Sequence, residues 1–235
     1  MPNPRGEKLR PIATRLSALL EDRFGEPAPF DLEVDLTWMP SVPNPKTHRT
    51  HWSALKEVYA ALVDGVFDLD ERMATYADQL RYGAMRVDAF FSAPYSFALE
   101  FDEQQHFNRF RASTLEHFPH YRDYSFDFDH YLELCLATPG TPNTTTFHRL
   151  KSFDPLFPPL LAGEAQDNRI RQRAFRDFLK DITPEIAGDR RHNPTMRISY
   201  QLTRGRRGWF EDEDLRLVED HIHTMGFLDK IYLLS

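Results

Sequence analysis

A single cysteine, Cys135, stands among 235 residues. That excludes an internal disulfide and any zinc site built on several thiolates. Its place in the apolar run at residues 131–137 predicts a small buried hydrophobe. No stretch approaches the roughly 20 apolar residues that span a bilayer. Residues 1–10 are polar and lack the apolar core of a secretion signal. A cytoplasmic protein with no membrane partner is therefore expected. Three familiar chemical signatures are missing as well: a Gly-rich phosphate loop, a nucleophile elbow and zinc-finger spacing.

What is present describes an ordinary globular chain. Hydrophobic residues make up 41% and charged residues 28%, and 19 phenylalanines supply bulky core material. The length suits one domain with embellishments rather than two. A net charge of −7 argues against a coat of positive charge, yet residues 164–210 hold eleven Lys or Arg against six Asp or Glu. The positive charge is concentrated in one part of the chain.

Apolar periodicity predicts an amphipathic helix over residues 8–24, stopped by Gly25 and Pro27. Alternation over residues 30–39 predicts a half-buried strand, followed by a proline-rich loop. Helical patterns follow over 52–63 and 70–82. Residues 85–91 and 97–102 are short, aromatic and β-prone, and the five residues between them suit an antiparallel hairpin. A helix over 108–118 leads into a proline-rich insertion at about 119–165, which holds one short helix or strand near 131–137. The clearest amphipathic helix covers 166–182, then come a strand over 195–203 and a helix over 211–225.

The hairpin carries the chemistry. Asp88 lies on its first strand, and Glu100 and Asp102 lie two residues apart on the second, so they project to one face. Carboxylates set among Phe90, Phe91, Leu99 and Phe101 are costly without a counter-charge. A hard divalent cation such as Mg²⁺, or Mn²⁺, takes carboxylate oxygens and leaves places for a phosphate and a water. Lewis-acid activation of a phosphoryl oxygen then makes phosphodiester hydrolysis accessible. The competing reading is a set of solvated strand-edge charges.

The run LEFDEQQHF after RVDAFF resembles the core of the PD-(D/E)xK nuclease superfamily, in the branch similar to very-short-patch repair endonucleases. That branch has the pattern R-P-D-F, a hairpin, then E-x-D-G-x-x-H. The resemblance implies an α/β, restriction-endonuclease-like mixed central sheet flanked by helices, with a core at about 52–205. Around it would lie an N-terminal extension at 1–51, the insertion at 119–165 and a C-terminal helix at 209–235. It further implies metal ligation by Asp88, Glu100 and the Phe101 carbonyl, and an active-site part for His106. A helix with D-x-x-R-(Q/D) and a strand ending R-I-x-Y close the core in that branch. Here they correspond to Asp167, Arg171, Gln172, Arg197, Ile198 and Tyr200.

The chain departs from the pattern in three places. Val87 replaces Pro, Glu103 replaces Gly, and Asp102 stands where the wider superfamily has a water-orienting Lys. The resemblance leaves that task to His106 or Gln105, and Glu57 is the candidate for a further acid on the helix before the hairpin. His106 equally suits a hydrogen-bonded core position. Arg169, Arg171, Arg173, Arg176 and Lys180 on the basic helix, with Arg204, Arg206 and Arg207 beside Trp209, are expected to meet a nucleic-acid backbone. The expectation is a Mg²⁺-dependent endonuclease acting on DNA. The alternative is a nuclease-fold protein without activity that binds nucleic acid or a protein partner, with a homodimer also in view.

Overall fold

The computed structural model describes residues 4–117, 125–137, 153–158, 167–186, 192–199 and 212–234. Helix α1 (Pro4–Phe24) leads into strand β1 (Phe30–Pro40), and helices α2 (Trp52–Leu62) and α3 (Leu69–Thr75) precede the hairpin strands β2 (Ala84–Phe91) and β3 (Phe97–Asp102). Helices α4 (Arg109–Glu116), α5 (Phe128–Ala137) and α6 (Asn168–Ile186) follow, then strand β4 (Met196–Ser199) and helix α7 (Asp212–Thr224). The four strands form one mixed sheet in the order β1-β2-β3-β4, with β1, β2 and β3 antiparallel and β4 parallel to β3. The chain is thus a mixed α/β fold with helices on both faces of the sheet. Among the described residues no helix is long and apolar enough to cross a membrane.

Two apolar layers account for this arrangement. On one face Ile12, Leu16 and Leu20 of α1 and Val218 and Ile222 of α7 pack against Ala89, Phe91, Phe97, Leu99, Met196 and Ile198. On the other, α2, α4, α5 and α6 enclose Leu55, Tyr59, Leu115, Tyr131, Phe175 and Phe178 over Val87 and Ala98. Cys135 lies in this second layer, and burial pushes its thiol up to about 11. A buried Phe or Leu stabilises by about 1.5–3 kcal/mol relative to exposure, so these layers dominate the fold's energetics.

Strand β1 falls in the segment read from sequence as an extension, yet it pairs with β2 from Phe30↔Phe91 to Leu36↔Met85. Sequence alone does not reveal a partner some fifty residues away. Leu32 and Ala89 join the α1 layer while Val34 and Val87 join the other, so the ribbon changes face between these pairs. The turning point is Glu33, whose φ of 55° lies in the left-handed region, together with Asp88 across from it. A non-glycine residue there costs about 1–2 kcal/mol. Farther along, the register shifts between Leu36 and Pro40, and the Trp38 ring in that stretch lies 6.3 Å from that of Phe90.

Other expectations differ in extent. Helix α3 is shorter than its pattern: Asp68 caps it by accepting from the Glu71 amide at 2.9 Å, and Tyr76 already leaves helical geometry. Asn108 caps α4 by accepting from the Phe110 and Arg111 amides. Part of the insertion belongs to the core, since Phe126, Tyr131, Leu156 and Phe157 are buried in the second layer. Tyr200 and Arg204, Arg206 and Arg207 lie outside the described residues.

Candidate active site

The hairpin puts two of the expected carboxylates together. Strand β2 pairs with β3 through Phe91↔Phe97, Phe90↔Ala98 and Ala89↔Leu99. One further step in that register sets Asp88 opposite Glu100, where regular pairing has stopped. There the Asp88 carboxylate, rather than a β2 carbonyl, accepts the Phe101 amide at 2.8 Å. Phe90 and Ala98 face the helical layer that holds α6, alternation puts Glu100 on that face as well, and Asp88 lies near enough for its charge to act on the Glu100 carboxyl.

Helix α6 closes the face from above. Lys180 sets its ammonium 2.7 Å from Glu100 Oε1, with side-chain exposures of 13% and 4%. Sequence reading placed Lys180 among surface phosphate contacts; the fold turns it to a buried carboxylate instead. Burial pushes the Glu100 carboxyl up, Lys180 and Arg197 pull it down and Asp88 repels it, and the balance lies at about 7. Asp88 is half-buried and is the more accessible of the two acids.

Asp102 has a different environment. Its carboxylate takes both bonds of a fork from Arg197 Nη1, at 2.9 and 2.8 Å, and is 1% exposed. Arg197 continues through Nε to Asp181 at 2.6 Å and through Nη2 to the Asp177 carbonyl at 3.0 Å, and Arg111 reaches Asp181 at 2.7 Å. His106 Nδ1 lies 2.9 Å from Asp177 and 3.4 Å from Asp102. Three buried carboxylates thus surround two guanidiniums and one imidazole, and the charges cancel when His106 is protonated. Burial alone lowers the His106 pKa, but Asp177 and Asp102 outweigh it and the net direction is upward. Asp177 moves down despite its own burial, because His106 and Arg197 face it. An imidazole whose proton two carboxylates hold is poorly suited to act as a base at neutral pH.

The remaining candidates separate by location. Gln105 is half-buried and donates to Glu103 at 2.7 Å, and its carbonyl accepts from Arg173 at 3.4 Å. Glu57 is exposed on α2 and accepts from Ser53 one turn away at 3.2 Å; the structure gives it no contact with Asp88 or Glu100. Arg171, expected at a nucleic-acid surface, is 4% exposed. It forks onto Asp167 at 2.7 and 3.1 Å and reaches Asp64 at 3.0 Å and the Leu62 carbonyl, so it ties α6 to the end of α2. Arg169 and Arg173 are half-buried and Arg176 is exposed on the outer side of α6.

Sequence reasoning missed Asp177, Asp181, Arg111 and the inward turn of Lys180. Two signals were available: acids four residues apart on an otherwise basic helix, and an arginine inside the apolar strand MRIS.

Asp88 and Glu100 suit a hard divalent cation by donor type, since Mg²⁺ is commonly held by one or two carboxylates and keeps several waters. A cation would also offset the cost of ionising Glu100 at its buried position. Among the described residues no group of three or more His, Cys, Asp or Glu side chains is arranged to hold a metal ion, the His106, Asp102 and Asp177 cluster being taken up by its own ion pairs.

No curated protein and no solved structure matches the chain. Residues 68–141 match the profile of a family of unknown function (DUF7255), a stretch that takes in β2, β3 and α4 and with them Asp88 and Glu100.

Proposed function

We propose that the chain is a Mg²⁺-dependent phosphodiesterase of the nuclease type, acting on nucleic acid, with DNA the favoured substrate and Asp88 and Glu100 as its metal-holding carboxylates. One observation carries this reading: Asp88 and Glu100 lie across from each other where the β2–β3 pairing stops, with the Lys180 ammonium 2.7 Å from Glu100. The mixed four-stranded sheet with helices on both faces supports the restriction-endonuclease-like assignment, to which the resemblance of the hairpin motif also points.

Bound at the two carboxylates, Mg²⁺ would supply Lewis-acid polarisation of a phosphoryl oxygen and a more acidic water. The chain's own groups do the rest. The Phe101 amide holds the Asp88 carboxylate in place through the 2.8 Å bond. Lys180 supplies the ammonium that the superfamily pattern has at the position of Asp102, so a cationic group stands at the carboxylates although the motif lysine is absent. Such a group stabilises charge developing on a phosphoryl group and orients a water by hydrogen bonding. Asp102 and His106 serve as buried scaffold beside the site rather than as reacting groups.

A second reading keeps the fold and the nucleic-acid contact without cleavage. It is favoured by the 3% exposure of Glu100, which already has a counter-ion in Lys180. The test is cleavage of labelled single-stranded, duplex and mismatched DNA in Mg²⁺ or Mn²⁺ by the native chain and by Asp88→Asn and Glu100→Gln. Metal-dependent cleavage lost in both variants, with their melting curves retained, is the expected result. Absence of cleavage by the native chain on all substrates and in both metals would transfer the assignment to the binding reading.

A further inference from the structure

Helix α6 buries two acids and one arginine and carries its other bases in a row. Its acids Asp177 and Asp181 turn inward and are consumed by His106, Arg197 and Arg111, and Asp167 just ahead of it is taken by Arg171. Its remaining bases, Arg169, Arg173, Arg176 and Lys180, stand at intervals of four, three and four residues. At 3.6 residues per turn these four positions fall within about 60° of one another, on the side away from buried Phe178. Among the described residues neither Arg169 nor Arg176 forms a salt bridge, whereas Arg173 reaches the Gln105 carbonyl in the turn after β3 at 3.4 Å. The row therefore runs from open surface, past the turn that follows the candidate strand, to the lysine at Glu100.

We infer that this row is a track for the phosphate backbone of one nucleic-acid strand, running along α6 and delivering a phosphodiester to Asp88 and Glu100 at its Lys180 end. Eleven residues of helix rise about 16 Å. One strand of B-form DNA carries a phosphate about every 3.4 Å along its axis, so the track covers no more than about five phosphates. Arginine forks suit phosphate oxygens, and such contacts fix where a backbone lies without reading its sequence. The inference rests on the proposed function for what happens at the Lys180 end, but the binding itself is tested without cleavage.

The experiment measures binding of fluorescent single-stranded and duplex oligonucleotides to the full chain in EDTA, from 50 to 200 mM salt. The native chain is compared with Arg169→Gln/Arg173→Gln/Arg176→Gln and with the milder Arg169→Gln/Arg176→Gln, each checked by thermal melting. The control is Arg23→Gln/Lys56→Gln, two exposed cations outside the track. Each lost phosphate contact removes about 0.7 from the log–log salt slope for a single strand and about 0.9 for a duplex. The triple variant should therefore lose about two units or more, which over this salt range makes its affinity about 20-fold less salt-sensitive. The double variant should show about two-thirds of that change and the control none. A native slope in both track variants overturns the proposal, as does native binding that polyglutamate displaces as well as an oligonucleotide of equal charge. A track that binds in a chain that cleaves nothing sinks the nuclease reading alone; cleavage with unchanged slopes in both variants sinks the track alone.

Discussion

Replacing Asp102 by Asn separates scaffold from reaction chemistry. The native network holds Asp102, Asp177 and Asp181 against Arg111, Arg197 and protonated His106, all on groups whose side chains are at most 11% exposed. Asparagine keeps the shape but removes one negative charge, leaving Arg197 Nη1 one acceptor oxygen at this position instead of two and the cluster with a surplus positive charge. Breaking one partner out of a buried pair costs about 3–5 kcal/mol. With a urea m-value of about 2–3 kcal/mol/M for a chain of this size, the midpoint should fall by about 1–2 M. The pH dependence has a sign as well. The folded pKa of His106 is raised, so its contribution is fully present below the unfolded value near 6.5 and is lost as pH climbs through the raised value. In Asp102→Asn one of the two carboxylates that raise it is gone, so the variant should lose less stability than the native chain between pH 6.5 and 9. Urea melts across that range measure both effects. A midpoint within about 0.3 M of native, with cleavage abolished, would refute the argument and make Asp102 a reacting group.

In the metal-free protein, Glu100 is raised from 4.5 to about 7, so folding stability should fall by about 3 kcal/mol as pH rises from 4.5 through 7. Added Mg²⁺ should restore more stability at pH 8 than at pH 5, and an equal gain at both would count against Glu100 as a ligand. Lys180→Met should raise the Glu100 carboxyl further and reduce cleavage by about 10²-fold or more, as expected for a group that meets developing charge; unchanged kcat/KM would remove it from the site. Arg171→Ala should lower stability by about 3–5 kcal/mol through the orphaned Asp167 and the emptied clamp, while the salt slope of oligonucleotide binding stays native; a flattened slope would return Arg171 to the binding surface.

The parts legible in the sequence are those set by local period. The hairpin follows from alternation in MRVDAFF and FALEFD around a proline-containing turn, and α6 follows from Ile170, Ala174, Phe175 and Phe178 on one face. The same period of two places Glu100 and Asp102 on one face of β3, but it cannot tell which carboxylate already has a partner. Arg197 comes 95 residues after Asp102 in the chain, and only the parallel β3–β4 register brings them together. Arg171 and Arg173 fall about 200° apart on the helix, so the wheel itself puts Arg171 on the apolar side, where it is clamped beneath Phe110 and Asp167, while Arg173 stays at the surface. Membership of β1 in the sheet was hidden for the same reason: pairing partners far apart in sequence leave no local signal.

The division of labour among the three hairpin carboxylates follows from what lies opposite each. Asp88 meets a backbone amide and remains half-exposed, Glu100 meets a lysine ammonium, and Asp102 meets a buried guanidinium. A lysine in the place of Asp102 would stand 0% exposed Arg197 against a like charge, so this network and the motif lysine exclude each other. On the proposed nuclease reading, the ammonium that replaces it sits on the helix that the network locks. Lys180 lies three residues after Asp177 and one before Asp181, and both acids are anchored to Arg197 on β4 or His106 after β3. With α6 pinned on either side of Lys180, the ammonium has little freedom to leave Glu100. On the same nuclease reading, the cation that the superfamily pattern carries at the position of Asp102 comes instead from the helix that the ion cluster around Asp102 holds in place.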